Sequence, residues 1–535
     1  MTQQQAPERA VKVTVLTLTA MVVGSMVGAG VFSLPRRFAQ ETGVGGALIA
    51  WLIAGTGMLV LALVFQRLAV LEPELDAGVY AYAKAGFGEF TGFYAAAGYW
   101  ASACVGNVTY WVLIMSTLGQ WFPALGAGDT LIAVLLSSLG LWSFFLIIRR
   151  GTKEAAAINR IVTIAKLVPI LVFVLLAAFL LDPAVFADNV RAADYSGSLW
   201  QQVSDTMLVT VFVFLGVEGA SVYSRHARRR EDVGRATILG FLSVLAIFAS
   251  VTIVSYGILP RAEIAELRQP SMAGVLEAAV GSWGTAFVSA GLIVSVLGAY
   301  LAWTLMAAEV LFVAAKDDDM PRFLARSTER DVPVNALVLT TALSQTVLII
   351  TMLSEDAFDF ALDLTAALSL IPFLLAALYA LRLGLTRDHA GERPATWRGD
   401  ATVAAIASIY TVFLIYAAGL RFVLVSMIFY APATVLFVLV RRERGRRVFT
   451  GARSCCSLSY RPGRCSAWSR SRPGGSVCDN RGAARRRKVV RCQPIPSRTE
   501  SIPRSAACAR CWSVRRAWRM SGSRPPTPTS CSSTT

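Results

Sequence analysis

The chain has 535 residues, of which 55% are hydrophobic and only 16% are charged, and its mean hydropathy is +0.55. Soluble domains carry about 25% charged residues, so this composition disfavours a soluble enzyme. The net charge of +17 would suit a nucleic-acid-binding protein, but it is unevenly distributed. Residues 1–447 hold 33 Lys and Arg against 32 Asp and Glu, whereas residues 448–535 hold 18 against 2. The two parts therefore differ in composition and need separate interpretations.

Twelve stretches before residue 448 have the length and apolar character of a membrane helix, which needs about 20 residues. The first, from Val11 to Leu34, is too long for the apolar region of a cleavable signal peptide. The pattern predicts an all-α integral membrane protein with twelve transmembrane helices. They cover 12–34, 45–66, 91–121, 129–148, 158–181, 203–224, 236–259, 284–315, 335–354, 358–381, 401–419 and 421–440.

The orientation follows from the loops, because loops rich in Lys and Arg tend to stay in the cytoplasm. With the N-terminus inside, the inside segments carry 26 Lys and Arg and the outside segments carry six, among them Arg36 and Arg37. We therefore expect a short cytoplasmic N-terminus over 1–11 and a transporter domain over 12–447. Both termini are expected in the cytoplasm, with the protein in the cell membrane.

Two spans contain glycine-rich interruptions, Gly24–Gly30 in the first and Leu215–Ser221 in the sixth. Each interior glycine weakens a helix by about 1 kcal/mol. The two interruptions are five spans apart, which predicts two inverted five-helix repeats, roughly 12–181 and 203–381, with two additional helices over 401–440. Unwound backbone in a bilayer can hold the carboxylate and the ammonium of an amino acid at the same site. The alternative is close helix packing through small residues.

The run from Gly24 to Phe32 resembles the first-helix signature of the amino acid–polyamine–organocation superfamily. Further runs are similar to its basic amino acid antiporter branch, which includes arginine/ornithine antiporters. These runs are Gly78–Ala83, Gly106–Asn107, Phe214–Ser221, Trp303–Glu309 and Ala314–Asp317.

The resemblance implies roles for particular positions. The amides around Ala29 and Gly30 would bind the substrate carboxylate, and the carbonyls of Met26, Phe212 and Leu215 would accept from its amino group. Family members often have serine at the position of Ala29, and arginine/agmatine exchangers have tryptophan at that of Phe212. Both departures leave backbone contacts intact.

Charged residues at membrane depth invite a functional interpretation, and three of them are candidates for coupling or gating. Glu218 follows the second interruption and would sense protons or balance a cationic substrate, or form a neutral hydrogen bond between helices. Lys166 would replace a sodium ion electrostatically, as in some sodium-independent relatives, or carry a proton, or snorkel to the cytoplasmic face. Glu309 is either a gating residue or a partner in an inter-helical hydrogen bond.

Three further residues are candidates for contact with the substrate side chain. Trp303 would cap a guanidinium or ammonium by a cation–π contact, or belong to a membrane belt. Asn107 would bond the substrate or another helix. Asp363 would contact the far end of a basic side chain; the alternative is that it and Asp359 mark the wet outer end of the tenth helix.

Residues 448–535 form an Arg/Ser/Cys-rich segment with eight of the nine cysteines and no apolar periodicity, which is typical of disorder. The preferred explanation is a frameshift, because GC-rich DNA translated in a wrong frame yields such a mixture. A zinc site at Cys508 and Cys511, or contact of Arg485–Arg487 with nucleic acid or acidic lipid, are the alternatives.

The pattern and the resemblance together predict a secondary transporter that exchanges arginine for ornithine, or related basic amino acids, by alternating access. Alternatives are a proton-coupled symporter and, from another class, an amino acid sensor. We expect no enzymatic activity, cofactor, metal or nucleic-acid partner. The expected partners are basic amino acids and the lipid bilayer, for a monomer or a homodimer.

Overall fold

The computed structural model describes residues 14–72, 75, 78–151, 153–191, 197–218, 230–328, 332–354, 356–386 and 397–446. The predicted cytoplasmic N-terminus, residues 219–224 at the end of the predicted sixth span and the 448–535 segment lie outside the described residues.

Nearly all of this described part is helical, and no strand occurs in it. In chain order the helices are α1 (Val15–Met26), α2 (Leu34–Glu41), α3 (Val44–Leu71), α4 (Val79–Phe87), α5 (Glu89–Leu118), α6 (Leu131–Arg150), α7 (Lys153–Phe179), α8 (Pro183–Arg191), α9 (Leu199–Asp205), α10 (Met207–Phe214), α11 (Arg230–Ser255), α12 (Arg261–Glu266), α13 (Ser271–Val280), α14 (Ser282–Lys316), α15 (Val334–Thr351), α16 (Ala357–Thr386), α17 (Trp397–Ala417) and α18 (Gly419–Glu443).

Within the described ranges, nine helices are long and apolar enough to cross a membrane. Two bent pairs raise the number to as many as 11: Val15–Met26 with Gly30–Glu41, and Lys166–Phe179 with Pro183–Val190. The predicted span 203–224 begins as α9 and α10 and leaves the described part after Glu218. The helical membrane fold is confirmed, and the count of twelve stays a prediction.

The scaffold is centred on α5, which is buried along almost its whole length. It packs against α14, α15, α16 and α18. Small residues on α5 permit close approach: a Cβ at Gly98 would overlap the Tyr430 hydroxyl of α18. The outward faces of α6, α17 and α18 instead expose large apolar side chains such as Leu139, Ile409 and Ile428, as lipid contact requires.

The first span differs from its predicted extent of 12–34. After α1 the chain leaves the helix at Val27–Ala29, re-forms a 3₁₀ turn over Gly30–Ser33 and continues as α2 to Glu41, bent by 54°. Hydropathy ends the span early because Arg36 and Arg37 are charged, and the distribution of Lys and Arg predicts that both lie in an external loop. The structure keeps Arg37 buried in the helix, where a carboxylate of α16 pairs with it.

Candidate functional site

The two predicted interruptions are present and lie against each other. The first is the non-helical segment Val27–Ala29, and the second is the turn Leu215–Glu218 that follows α10. The hydroxyl of Ser25 donates to the carbonyl of Gly216 over 3.1 Å. Ser25 was not singled out from the sequence, although its place between two glycines of the first interruption would have been a signal.

Glycine is required where the two segments touch. Gly216 has a φ of +102°, and a Cβ there would collide with the backbone carbonyl of Ser25. A Cβ at Gly30 would collide with the side chains of Phe212 and Val213. The glycines therefore allow two polypeptide backbones to approach at membrane depth, which places helix ends of both polarities in one buried volume.

The residues expected to bind the substrate backbone lie at these ends. Met26 is the last residue of α1, and Ala29 precedes the turn that starts at Gly30. Phe212 and Leu215 lie on either side of the end of α10. Helix C-termini present carbonyls and helix N-termini present amides, so the arrangement suits a zwitterion.

Lys166 reaches the first interruption from α7. Its ammonium donates to the carbonyl of Val27 over 2.8 Å and also to the carbonyl of Gly24. The side chain is 3% exposed, so it does not snorkel to the membrane surface. The ammonium of Lys166 thus donates hydrogen bonds to backbone carbonyls that the break leaves without helical partners.

Glu218 belongs to the second interruption and is buried. One carboxylate oxygen accepts from the amide of Gly216 at 3.1 Å, and the other accepts from the hydroxyl of Tyr99 on α5. The Tyr99 hydroxyl also lies 3.4 Å from the sulfur of Met306 on α14. Glu218 therefore links the broken helix to the scaffold. Tyr99 carried no motif that would have identified it.

Three predicted residues with aromatic or polar side chains lie on α10, α14 and α5, and of these Phe212 lies against the first break at Gly30. Phe212 and Trp303 are both buried, at 6% and 8% exposure. The amide nitrogen of Asn107 donates to the hydroxyl of Thr304 over 3.1 Å, which is the predicted inter-helical alternative. Its oxygen is buried without a partner among the described residues, which leaves an acceptor for an incoming donor.

Two predicted residues do not join this cluster. Asp363 on α16 is buried and pairs with Arg37 of α2, with Nη2 at 2.7 and 2.9 Å from its two carboxylate oxygens. Asp359 is buried as well, so the two carboxylates do not mark a wet helix end. Glu309 is exposed on the surface of α14.

The described ranges contain no group of three or more His, Cys, Asp or Glu side chains able to hold a metal ion. What the site offers is two helix breaks, the ammonium of Lys166, the buried carboxyl of Glu218 and the ring of Phe212. These groups can recognise and enclose a small zwitterion.

Comparison with known proteins agrees with this chemistry. A family model described as amino acid permease matches residues 13–440. The arginine/ornithine antiporter of Pseudomonas aeruginosa is 46% identical over 453 residues, which cover 83% of this chain and 94% of the relative. The L-lysine transport protein of Corynebacterium glutamicum is 40% identical, covering 82% and 90%. The arginine/agmatine antiporter of Chlamydia abortus is 35% identical, covering 81% and 91%.

Proposed function

This chain belongs to the amino acid permease family, and from that premise we propose that it exchanges arginine for ornithine, or related basic amino acids, by alternating access. The observation that carries the proposal is the contact between the two helix breaks at Ser25 and Gly216. It brings helix ends of both polarities together, as a site for an amino acid backbone requires.

The substrate class is supported by the relatives. Two of the three are antiporters of arginine, against ornithine or agmatine, and the third transports lysine. Arginine and ornithine each carry one net positive charge, so their one-for-one exchange moves no net charge across the membrane.

In the proposed binding mode, the amides around Ala29 and Gly30 hold the substrate carboxylate. The carbonyls of Met26, Phe212 and Leu215 accept from its ammonium. Phe212 and Trp303 would then flank the basic side chain by cation–π contact, worth about 0.5–2 kcal/mol.

Other polar groups complete this proposal. The unpartnered oxygen of Asn107 is an acceptor for a substrate N–H. Glu218 balances positive charge in the broken sixth span, while a gating role for Glu309, which is exposed on α14, stays a prediction. A direct contact between Asp363 and the substrate stays a prediction, because Arg37 already neutralises that carboxylate.

We further propose that the protein lies in the cell membrane with both termini in the cytoplasm. The 26-to-6 distribution of Lys and Arg supports this orientation. Half-helix α2 then lies toward the external face, and the end of α14 toward the cytoplasm. Each chain contains one complete site in this scheme, so a monomer and a homodimer would transport alike.

The decisive experiment is uptake of labelled arginine into proteoliposomes that contain a chain truncated after Thr450. Vesicles loaded with ornithine are compared with empty vesicles at equal pH. Uptake confined to loaded vesicles is expected. Uptake into neither kind of vesicle would contradict the substrate assignment.

A proton-coupled symporter is the second candidate, because Glu218 and Lys166 are buried ionisable groups at the breaks. It predicts equal uptake into empty and loaded vesicles, with stimulation by an inward proton gradient. Running the same vesicles in a sodium-free choline buffer ensures that any stimulation comes from the proton gradient and not from sodium.

A further inference from the structure

Tyr110 of α5 directs its hydroxyl at the first helix break. The hydroxyl oxygen lies 3.6 Å from the position that a Cβ on Gly28 would take. The tyrosine is only 5% exposed, so protein encloses its ring almost completely. Because Gly28 has no side chain, the hydroxyl faces the bare backbone of the break.

This hydroxyl has no hydrogen-bond partner in the part of the chain that the structure describes. Other buried tyrosines do have one. Tyr256 donates to the carbonyl of Thr42 over 2.7 Å. Tyr430 donates to the carbonyl of Leu368 over 3.0 Å. Buried polar groups are normally paired, because an unpaired one loses its hydration without compensation. The Tyr110 hydroxyl therefore keeps a free donor at the break.

Space is open between this hydroxyl and the break. Gly28 is half-buried, although both of its neighbours, Val27 and Ala29, are buried. Apart from those neighbours, the Tyr110 hydroxyl is the only described atom within 4 Å of the Cβ position of Gly28. At Gly30, by contrast, a Cβ would collide with two side chains of α10. The volume beside Gly28 is therefore not filled by the described protein atoms.

The chemistry around this space favours a carboxylate. The half-helix Gly30–Glu41 begins directly after Ala29, and amides at a helix start lack helical acceptors. Ala29 itself has no side-chain donor. The ammonium of Lys166 lies 2.8 Å from the carbonyl of Val27, one residue before Gly28. A positive charge so close favours an anion over a cation in the space beside Gly28.

We propose that the Tyr110 hydroxyl donates to the α-carboxylate of the substrate, so that this chain distinguishes an amino acid from the amine with the same side chain. The inference deepens the proposed exchange function and rests on it. A bond from a hydroxyl to an ionised acceptor is stronger than one between neutral groups. A carboxylate held by Tyr110 and by the amides after Ala29 joins α5 to the first span, and an amine cannot make that connection.

The test compares ligands that differ only at the carboxylate. The full chain is purified in nanodiscs, and binding of labelled arginine is measured by equilibrium dialysis at neutral pH. Two unlabelled competitors are used: agmatine, which is arginine without its carboxylate, and arginine amide, in which a neutral carboxamide replaces it. The dissociation constant for agmatine divided by that for arginine measures recognition of the carboxylate.

Tyr110→Phe removes the hydroxyl and keeps the ring. Arginine should bind about tenfold more weakly, as expected for the loss of one hydrogen bond to a charged group, whereas agmatine should bind as in the parent. The agmatine-to-arginine ratio should therefore fall about tenfold. Arginine amide should lose less affinity than arginine, because its oxygen carries no net charge.

Tyr410→Phe is the matched control. It removes another buried hydroxyl that has no partner among the described residues, and it does so on α17. All affinities should stay at the parent values in this variant. An unchanged ratio in Tyr110→Phe overturns the proposal. An equal loss of arginine and agmatine also overturns it, because a hydroxyl that only supports the fold would affect both ligands.

Failure of the proposed function gives a different pattern. If binding depends on Tyr110 as expected but ornithine-loaded proteoliposomes take up no arginine, exchange is contradicted and the carboxylate site stands. If the parent binds lysine and not arginine, lysine is compared with its amine, cadaverine, and the same ratio decides. A parent that binds none of arginine, ornithine and lysine contradicts the proposed function and the carboxylate site together.

Discussion

The ammonium of Lys166 donates to the carbonyl of Val27 over 2.8 Å, and so joins α7 to the unwound segment of the first span. The same ammonium donates to the carbonyl of Gly24. A lysine in this position takes up carbonyl oxygens of the kind that would otherwise coordinate a cation. The contact binds the broken helix to the scaffold through charge rather than through apolar packing.

Lys166→Met tests this contact. Methionine fills a similar volume but leaves the carbonyls of Val27 and Gly24 without this donor, at about 1–3 kcal/mol for the buried one, Val27. We expect a lower melting temperature in detergent and loss of arginine exchange. Lys316→Gln removes a lysine from the exposed end of α14 and is the control, with both properties near the parent values. Full exchange by Lys166→Met would show that the ammonium has no part in transport.

Gly216→Ala tests the contact between the two breaks. The residue has φ of +102°, and the new Cβ would collide with the carbonyl of Ser25. Strain and collision together are expected to destabilise the fold by about 3 kcal/mol or more and to abolish uptake.

Gly419→Ala isolates the strain from the collision. Gly419 also has a positive φ, +71°, but a Cβ there meets nothing within 4 Å. A loss of about 1–2 kcal/mol with uptake retained is expected, from the backbone conformation alone. Equal effects of the two alanines on melting temperature would mean that the contact with Ser25 contributes nothing.

Glu218→Gln tests whether this buried carboxyl couples transport to protons. Glutamine keeps one oxygen, which can accept from the amide of Gly216, and places an NH2 group beside the hydroxyl of Tyr99, which must then accept rather than donate. If exchange is the activity, the variant should retain arginine–ornithine counterflow, and uptake should no longer vary with pH through this group. Tyr99→Phe removes the donor alone and serves as the comparison. A proton-driven uptake that disappears in Glu218→Gln would favour the symporter instead.

The sequence predicted the helical membrane fold because twenty-residue apolar runs have no other stable solution in lipid. It also predicted where the helices break, since Gly28 and Gly216 interrupt otherwise apolar runs. Both features depend only on residues that are close in the chain, so they can be predicted without knowing the three-dimensional structure.

Partners distant in the chain could not be predicted in the same way. Arg37 and Asp363 are 326 positions apart, and nothing local distinguishes a buried arginine at the end of a span from one in a loop. A signal was present in the spacing of Asp356, Asp359 and Asp363, which recur on one helix face and require cations. Tyr99 had no such signal, because a tyrosine in an apolar run is usually a packing residue.

Asp319, in the segment after α14, offers a test of how the stability of the protein depends on pH. Its carboxylate lies 2.7 Å from the ammonium of Lys84 and accepts from the hydroxyl of Tyr80. Burial raises the pKa of Asp319 above its ordinary value of 3.8, although the bonds from Lys84 and Tyr80 lower it. The folded protein therefore holds this proton more tightly than the unfolded chain does.

The sign of the pH effect follows from that difference. A raised carboxyl pKa contributes stability that is present below pH 3.8 and is lost as the pH rises through the folded pKa. The melting temperature of the parent minus that of Asp319→Asn should therefore fall as the pH is raised from 3.8. Asp317→Asn controls for the loss of one carboxylate beside Lys84. A difference that rises with pH would show that Lys84 outweighs burial.

Truncation tests which part of the C-terminal region belongs to the fold. Arg446, the last described residue, lies 3.4 Å from Asp318 and 3.6 Å from Glu89. Arg441 and Arg444 pair with the same two carboxylates. These contacts join the end of α18 to the start of α5 and to the segment after α14.

A chain ending at Thr450 keeps all of these pairs, so its melting temperature and exchange activity should match those of the full chain. A chain ending at Val440 loses all three arginines and should melt at a lower temperature, because Glu89 and Asp318 lose their partners. Equal stability of the two truncated chains would mean that the pairs contribute nothing.

Resequencing the 3′ end of the gene tests the proposed frameshift independently. A continuous reading frame through residues 448–535 would contradict the frameshift. A shifted frame would explain why this segment contains 18 Lys and Arg residues but only two acidic residues.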